Sequence, residues 1–64
     1  MTLEISVDYE EQMITLIVDG SATISAYKEA DNSIRYSRLK NVESEETQEK
    51  LKQVCETLFS IEEI

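Results

Sequence analysis

The sequence predicts an α+β fold: an antiparallel β-meander of three to four strands with one C-terminal amphipathic helix packed on one face, in the order ββββα. Three observations predict it. Apolar and polar residues alternate with a period of two in the first part of the chain. Polar clusters suited to short turns interrupt that alternation. From Ser44 onward the apolar residues instead recur at helical spacing. We therefore expect a single domain over residues 1–64, with the sheet at about 2–39 and the helix at about 44–60.

The first two strands differ in how their apolar residues are arranged. Every second residue from Leu3 to Val7 is apolar, which is typical of a half-buried strand. Residues 9–12 are polar and predict a turn. The second strand, residues 13–18, is apolar at every position except Thr15. A strand that is apolar on both sides is usually covered on both, so this segment predicts that something packs on the second face of the sheet.

A hairpin and a further turn define the last two strands. Asp19-Gly20 between two apolar runs is the strongest short hairpin signal, because glycine adopts positive φ without a Cβ clash. The third strand is expected at about residues 22–28, a turn at 29–32 and the fourth strand at about 33–39. Connections this short make consecutive strands antiparallel neighbours.

Two features of the sequence predict the helix: an N-terminal capping signal and a stripe of apolar residues at helical spacing. Ser44 is the expected N-cap, followed by Glu45 and Glu46, which the positive end of the helix dipole stabilises. Phe59 falls beside the apolar stripe and is expected at its edge. The stripe itself comprises Leu51, Val54, Cys55, Leu58 and either Ile61 or Glu62.

The predicted core combines the strands' alternate residues with the helix stripe, because the helix is the available cover for one sheet face. The sequence leaves open which side of the second strand points inward. If Ile14, Leu16 and Val18 face the helix, then Met13 and Ile17 lie on the open face of the sheet. The predicted core is Leu3, Ile5, Val7, Leu16, Val18, Ile24, Ile34, Leu51, Val54, Leu58 and one of Ile61 or Ile64.

Composition argues against catalysis and against bound cofactors or metals. The chain has no histidine, one cysteine and one glycine. Hence an intrachain disulfide, the usual zinc sites, a nucleophile–histidine pair and a glycine-rich phosphate loop are all excluded. Cys55 is interpreted as a buried core thiol. We therefore expect that the protein is not an enzyme, that it needs no cofactor and that it holds no metal.

The formal charge of −8 is unevenly distributed along the chain. Residues 1–42 carry seven acids and four cations, hence −3, and residues 43–64 carry seven acids and two lysines, hence −5. Such a chain is repelled by phosphate backbones and anionic membranes, so we expect no direct binding to nucleic acid or membrane. The N-terminal residues show no basic region or long apolar run, and the cysteine is unpaired, which together predict a cytoplasmic protein.

Two functions are compatible with these features. The first is a small acidic protein-binding module, an inhibitor or adaptor acting on a basic partner surface. In its sharpest form it is a nucleic-acid charge mimic, and its composition is typical of small phage and mobile-element proteins. The alternative is a structural homodimer without an inhibitory role, formed by two open sheet faces or by pairing of edge strands between subunits. Solubility alone also accounts for the charge. The candidate binding residues are Glu45, Glu46, Glu49 and Glu56 on the helix and Met13, Ile17, Tyr27 and Arg35 on the open sheet face.

Overall fold

The computed structural model describes residues 2–62, apart from the side chain of Arg38. Its elements are β1 (Leu3–Asp8), β2 (Met13–Val18), β3 (Ala22–Lys28), β4 (Ile34–Lys40) and α1 (Glu45–Glu62). The strands form one antiparallel sheet in the order β1-β2-β3-β4. The predicted ββββα fold is confirmed.

The β2–β3 hairpin turns at Asp19-Gly20, as predicted. Both residues have positive φ, 51° and 74°, which is the backbone that a type I′ turn requires. The Ser21 amide donates to the Val18 carbonyl at 3.2 Å and closes the turn. A Cβ added to Gly20 would meet nothing within 4 Å. Glycine is therefore favoured here by its φ angle and not by lack of space.

The start of α1 also follows the prediction. The Thr47 amide donates to the Ser44 hydroxyl at 3.4 Å, and the Gln48 amide donates to the Ser44 carbonyl at 3.0 Å. Ser44 thus satisfies one otherwise unpaired amide of the first turn and accepts the first helical hydrogen bond.

The core lies between α1 and the two central strands. Ile14 and Leu16 are fully buried, which decides the open question of which side of β2 faces the helix. Cys55 is buried, as predicted. The expectation that Phe59 lies at the edge is wrong, because only 2% of it is exposed. The buried hydrophobic residues are Ile14, Leu16, Ile24, Ala26, Leu51, Cys55 and Phe59.

Several residues of the predicted core are not buried. Leu3 is 41% exposed, Ile5 48% and Ile61 67%, and Ile64 lies outside the described residues. Five others pack against the core but are only partly buried: Val7, Val18, Ile34, Val54 and Leu58.

The width of the sheet explains these errors. The outer strands of a four-stranded sheet lie about 14 Å apart, whereas an α-helix with its side chains is only about 10–12 Å wide. α1 packs mainly on β2 and β3. Side chains of β1 that point toward the helix side therefore stay partly exposed.

Candidate protein-binding surfaces

The predicted residues of the open sheet face do lie together. Met13 pairs with Tyr27 across β2 and β3, and Tyr27 pairs with Arg35 across β3 and β4. The Arg35 guanidinium lies 5.1 Å from the centroid of the Tyr27 ring, and its Nε donates to Glu29. Ile17 lies on the same side of β2 because residues two apart share a face.

This open face exposes little apolar surface. Met13, Ile17 and Tyr27 are each partly buried by their neighbours. Within residues 2–62, the strongly exposed large hydrophobic residues all lie elsewhere: Leu3, Ile5, Tyr9, Leu39 and Ile61. The apolar character of β2 predicts a second covering layer, but none of the described elements covers this face.

The four predicted helix glutamates form a second surface, which we call the acidic helix face: Glu45, Glu46, Glu49 and Glu56. All four are exposed. Glu46 forms an ion pair with Lys50, one helical turn along α1, with Nζ and Oε1 3.2 Å apart. One flank of α1 faces β4, because the hydroxyl of Tyr36 on β4 donates to the carbonyl of Lys52 on α1. Burial, followed by the charge of Glu56, raises the pKa of Tyr36 to about 12.

A third surface was missed by the sequence-based interpretation. We call it the edge groove: Leu3 and Ile5 on β1, with Val54, Leu58 and Ile61 on the neighbouring side of α1. It contains a depression of about 340 Å³, lined by Leu3, Val18, Thr47, Lys50, Leu51 and Val54.

The direction of α1 gives the edge groove its length. Val54 and Leu3, at one end of β1, line the same depression. At the other end, the Tyr9 hydroxyl donates to the carboxylate of Glu62, and this hydrogen bond raises the pKa of Tyr9. The helix therefore runs along β1 in the same direction, and Leu58 and Ile61 follow Val54 along the strand.

The backbone of β1 is also available along the groove. Within the described residues, no strand pairs with its outer edge. The Asp19 amide donates to the Thr2 carbonyl at 2.8 Å, and Thr2 is therefore a residue whose backbone groups point toward β2. Because these directions alternate in an antiparallel pair, Leu3, Ile5 and Val7 point their amides and carbonyls away from β2, toward the open edge.

The lone cysteine has a structural role in the core. Cys55 is fully buried, and burial together with the nearby charge of Glu56 raises the pKa of its thiol to about 11. The thiol is therefore neutral at physiological pH and is not activated for attack.

Residues 2–62 contain no group of three or more His, Cys, Asp or Glu residues placed to hold a metal ion. Within the same residues, no helix has the length and apolarity needed to cross a membrane.

Comparison with known proteins identifies no relative. No family model, curated protein or solved structure matches this chain.

Proposed function

We propose that the chain is a small acidic protein-binding module that acts as an inhibitor or adaptor on a partner with a basic surface. The observation that carries this proposal is the acidic helix face. Its four exposed glutamates stand on a helix that Leu51, Cys55 and Phe59 anchor in the core. Because the helix is held rigidly, the carboxylates keep a defined spacing, about 6 Å along the axis between Glu45 and Glu49.

Such an array attracts a basic groove on another protein and competes there with a nucleic-acid backbone. Attraction between opposite charges raises the association rate and favours basic partners over acidic ones. We place this activity in the cytoplasm, where an unpaired cysteine such as Cys55 stays reduced.

The test compares two double variants that remove the same charge from different places. Glu49→Gln with Glu56→Gln alters the acidic helix face, and Glu10→Gln with Glu11→Gln alters the β1–β2 turn. All four residues are exposed. Each chain is immobilised and used to capture partners from a lysate at about 0.1 M salt, where charge attraction is only partly screened. Captured partners are identified by mass spectrometry, purified and titrated.

We expect to capture a partner with a basic surface. Its affinity for the chain should fall several-fold with the helix double variant and less with the turn double variant. High salt should release it, since surface charges are then screened. Equal losses for both variants would mean that only overall charge matters. That result, or the lack of any specific partner, would contradict the proposal.

Homodimeric assembly through the open sheet face is the second candidate. It is favoured by the absence, among the described elements, of any cover for the face that carries Met13 and Ile17. Sedimentation equilibrium over a wide concentration range tests it. We would expect Met13→Glu to dissociate such a dimer, and a strict monomer at high concentration would contradict the idea.

A further inference from the structure

We propose that the open edge of β1 binds an extended segment of the partner, in which apolar and basic residues alternate, as a fifth strand of the sheet. This inference rests on the proposed function and specifies how the module would recognise a basic partner. Three features of the edge point to it: its free backbone, its apolar groove and its acidic outer side.

The backbone of β1 is suited to strand addition. Proteins usually protect sheet edges with proline, a bulge or charged side chains, lysine above all. β1 contains no proline, lysine or bulge, and its two charged residues, Glu4 and Asp8, repel an acidic strand but not a basic one. The opposite edge differs, since β4 carries Arg35 and Lys40, and its pairing with β3 shifts register at Ser25/Ala26. β1 is therefore the receptive edge of the sheet.

The groove determines what the added strand presents toward the helix side. Its inward side chains would lie opposite Leu3, Ile5 and Val7, and beside Ile61 on α1. Ile5 is 48% exposed and Ile61 67%, so apolar side chains here would remove both from water. Burial of apolar surface favours association, and β-branched residues suit this position in a strand.

Charge determines what the added strand presents on the other face. The outward residues of β1 are Glu4, Ser6 and Asp8. Residues 1–27 contain five acids and no lysine or arginine. Opposite charges directly across two strands are stabilising and like charges destabilising. A lysine or arginine opposite Glu4 and Asp8 is therefore favoured.

A second copy of the chain fits this edge less well. If two β1 strands paired antiparallel with Ile5 opposite Ile5, Ser6 of each copy would lie opposite Glu4 of the other. The acidic edges of the two sheets would then lie next to each other. β4 of a second copy alternates apolar and basic residues, but Ser37 is an extra residue between the pairs Ala26–Tyr36 and Ser25–Arg38. Because of Ser37, the side chains of β4 do not alternate regularly between the two faces of the sheet. A strand that pairs with the regular strand β1 needs that alternation.

The test uses a synthetic peptide, Lys-Val-Thr-Ile-Lys-Val-Thr, acetylated and amidated. Paired antiparallel to β1, it places its lysines opposite Asp8 and Glu4 and its isoleucine opposite Ile5. Binding to the isotope-labelled full chain is followed by NMR. We expect the largest amide shifts at Leu3, Ile5 and Val7, and at least tenfold weaker binding when glutamates replace the peptide's lysines. Glu4→Lys should reduce that preference or reverse it.

Backbone methylation of the peptide gives a matched control without changing the protein. The amide of the peptide's isoleucine would bond to Ile5, whereas the amide of the neighbouring threonine would point away. We therefore expect N-methylation at the isoleucine to abolish binding and N-methylation at that threonine to leave it nearly unchanged. Ile61→Lys, at an exposed position, should weaken binding without unfolding the chain.

Other outcomes would overturn the inference. Equal effects of the two N-methyl groups, or amide shifts that map to another surface, would show that no strand is added at β1. A third outcome is that the peptide does not bind, while the affinity of a captured basic partner still falls with the double variant Glu49→Gln, Glu56→Gln. That result would overturn the edge inference and leave the proposed function standing. Self-association that Glu4→Lys alters, without peptide binding, would assign the edge to a second copy instead.

Discussion

Replacing Phe59 tests the packing of the helix, since the sequence places this residue at the edge of the core and the structure places it inside. Only 2% of Phe59 is exposed, whereas Ile61 on the same helix is 67% exposed. A fully buried phenylalanine removes about 150–250 Å² from water, which corresponds to roughly 4–6 kcal/mol at about 25 cal/mol per Å². Truncation to alanine in other cores costs about 3–5 kcal/mol.

The size of this chain determines which substitution is measurable. At about 0.05–0.15 kcal/mol per residue, a chain of 64 residues has an unfolding free energy of roughly 3–10 kcal/mol. Phe59→Ala would leave little or none of it. The smaller change Phe59→Leu should lower the free energy by about 1–2 kcal/mol. Ile61→Ala, the matched control, should change it by less than about 0.5 kcal/mol.

Urea denaturation followed by far-UV circular dichroism measures both variants. We expect Phe59→Leu to lower the midpoint with an unchanged slope, because the surface exposed on unfolding stays nearly the same. The reasoning would be refuted if Ile61→Ala cost as much as Phe59→Leu, or if Phe59→Leu had no effect.

Three further predictions concern the turn, the cap and the thiol. Gly20→Ala should cost about 1–2 kcal/mol, because its positive φ strains a residue with a Cβ; a neutral result in urea denaturation would contradict the turn geometry. Ser44→Ala should cost about 1 kcal/mol through loss of the Thr47 cap, whereas Ser44→Asp should be nearly neutral. Burial raises the pKa of Cys55 from 9.0 to about 11, so the stability present below pH 9 should fall as pH rises toward 11, by at most about 3 kcal/mol. Cys55→Ala should flatten that part of the stability–pH curve, and an unchanged curve would contradict this cause.

The candidate surfaces were predictable to different degrees. Glu49 and Glu56 lie on the exposed side of the helix because helical spacing alone separates them from Leu51 and Cys55. Met13, Tyr27 and Arg35 share a face because short connections set the register of the strands. The edge groove was not predicted, since Leu3 and Ile5 have the same alternating pattern as residues that are buried.

The sequence by itself determined the order of the elements, the hairpin at Gly20, the cap at Ser44 and the burial of Cys55. These depend on local periodicity and on backbone preferences that act over a few residues. Only the tertiary structure decided that Phe59 is buried and that Leu3, Ile5 and Ile61 are exposed. A single helix is narrower than a four-stranded sheet. The pattern of apolar residues along the chain does not show which of the strands the helix covers. That difference in width leaves β1 with an apolar groove beside an open edge.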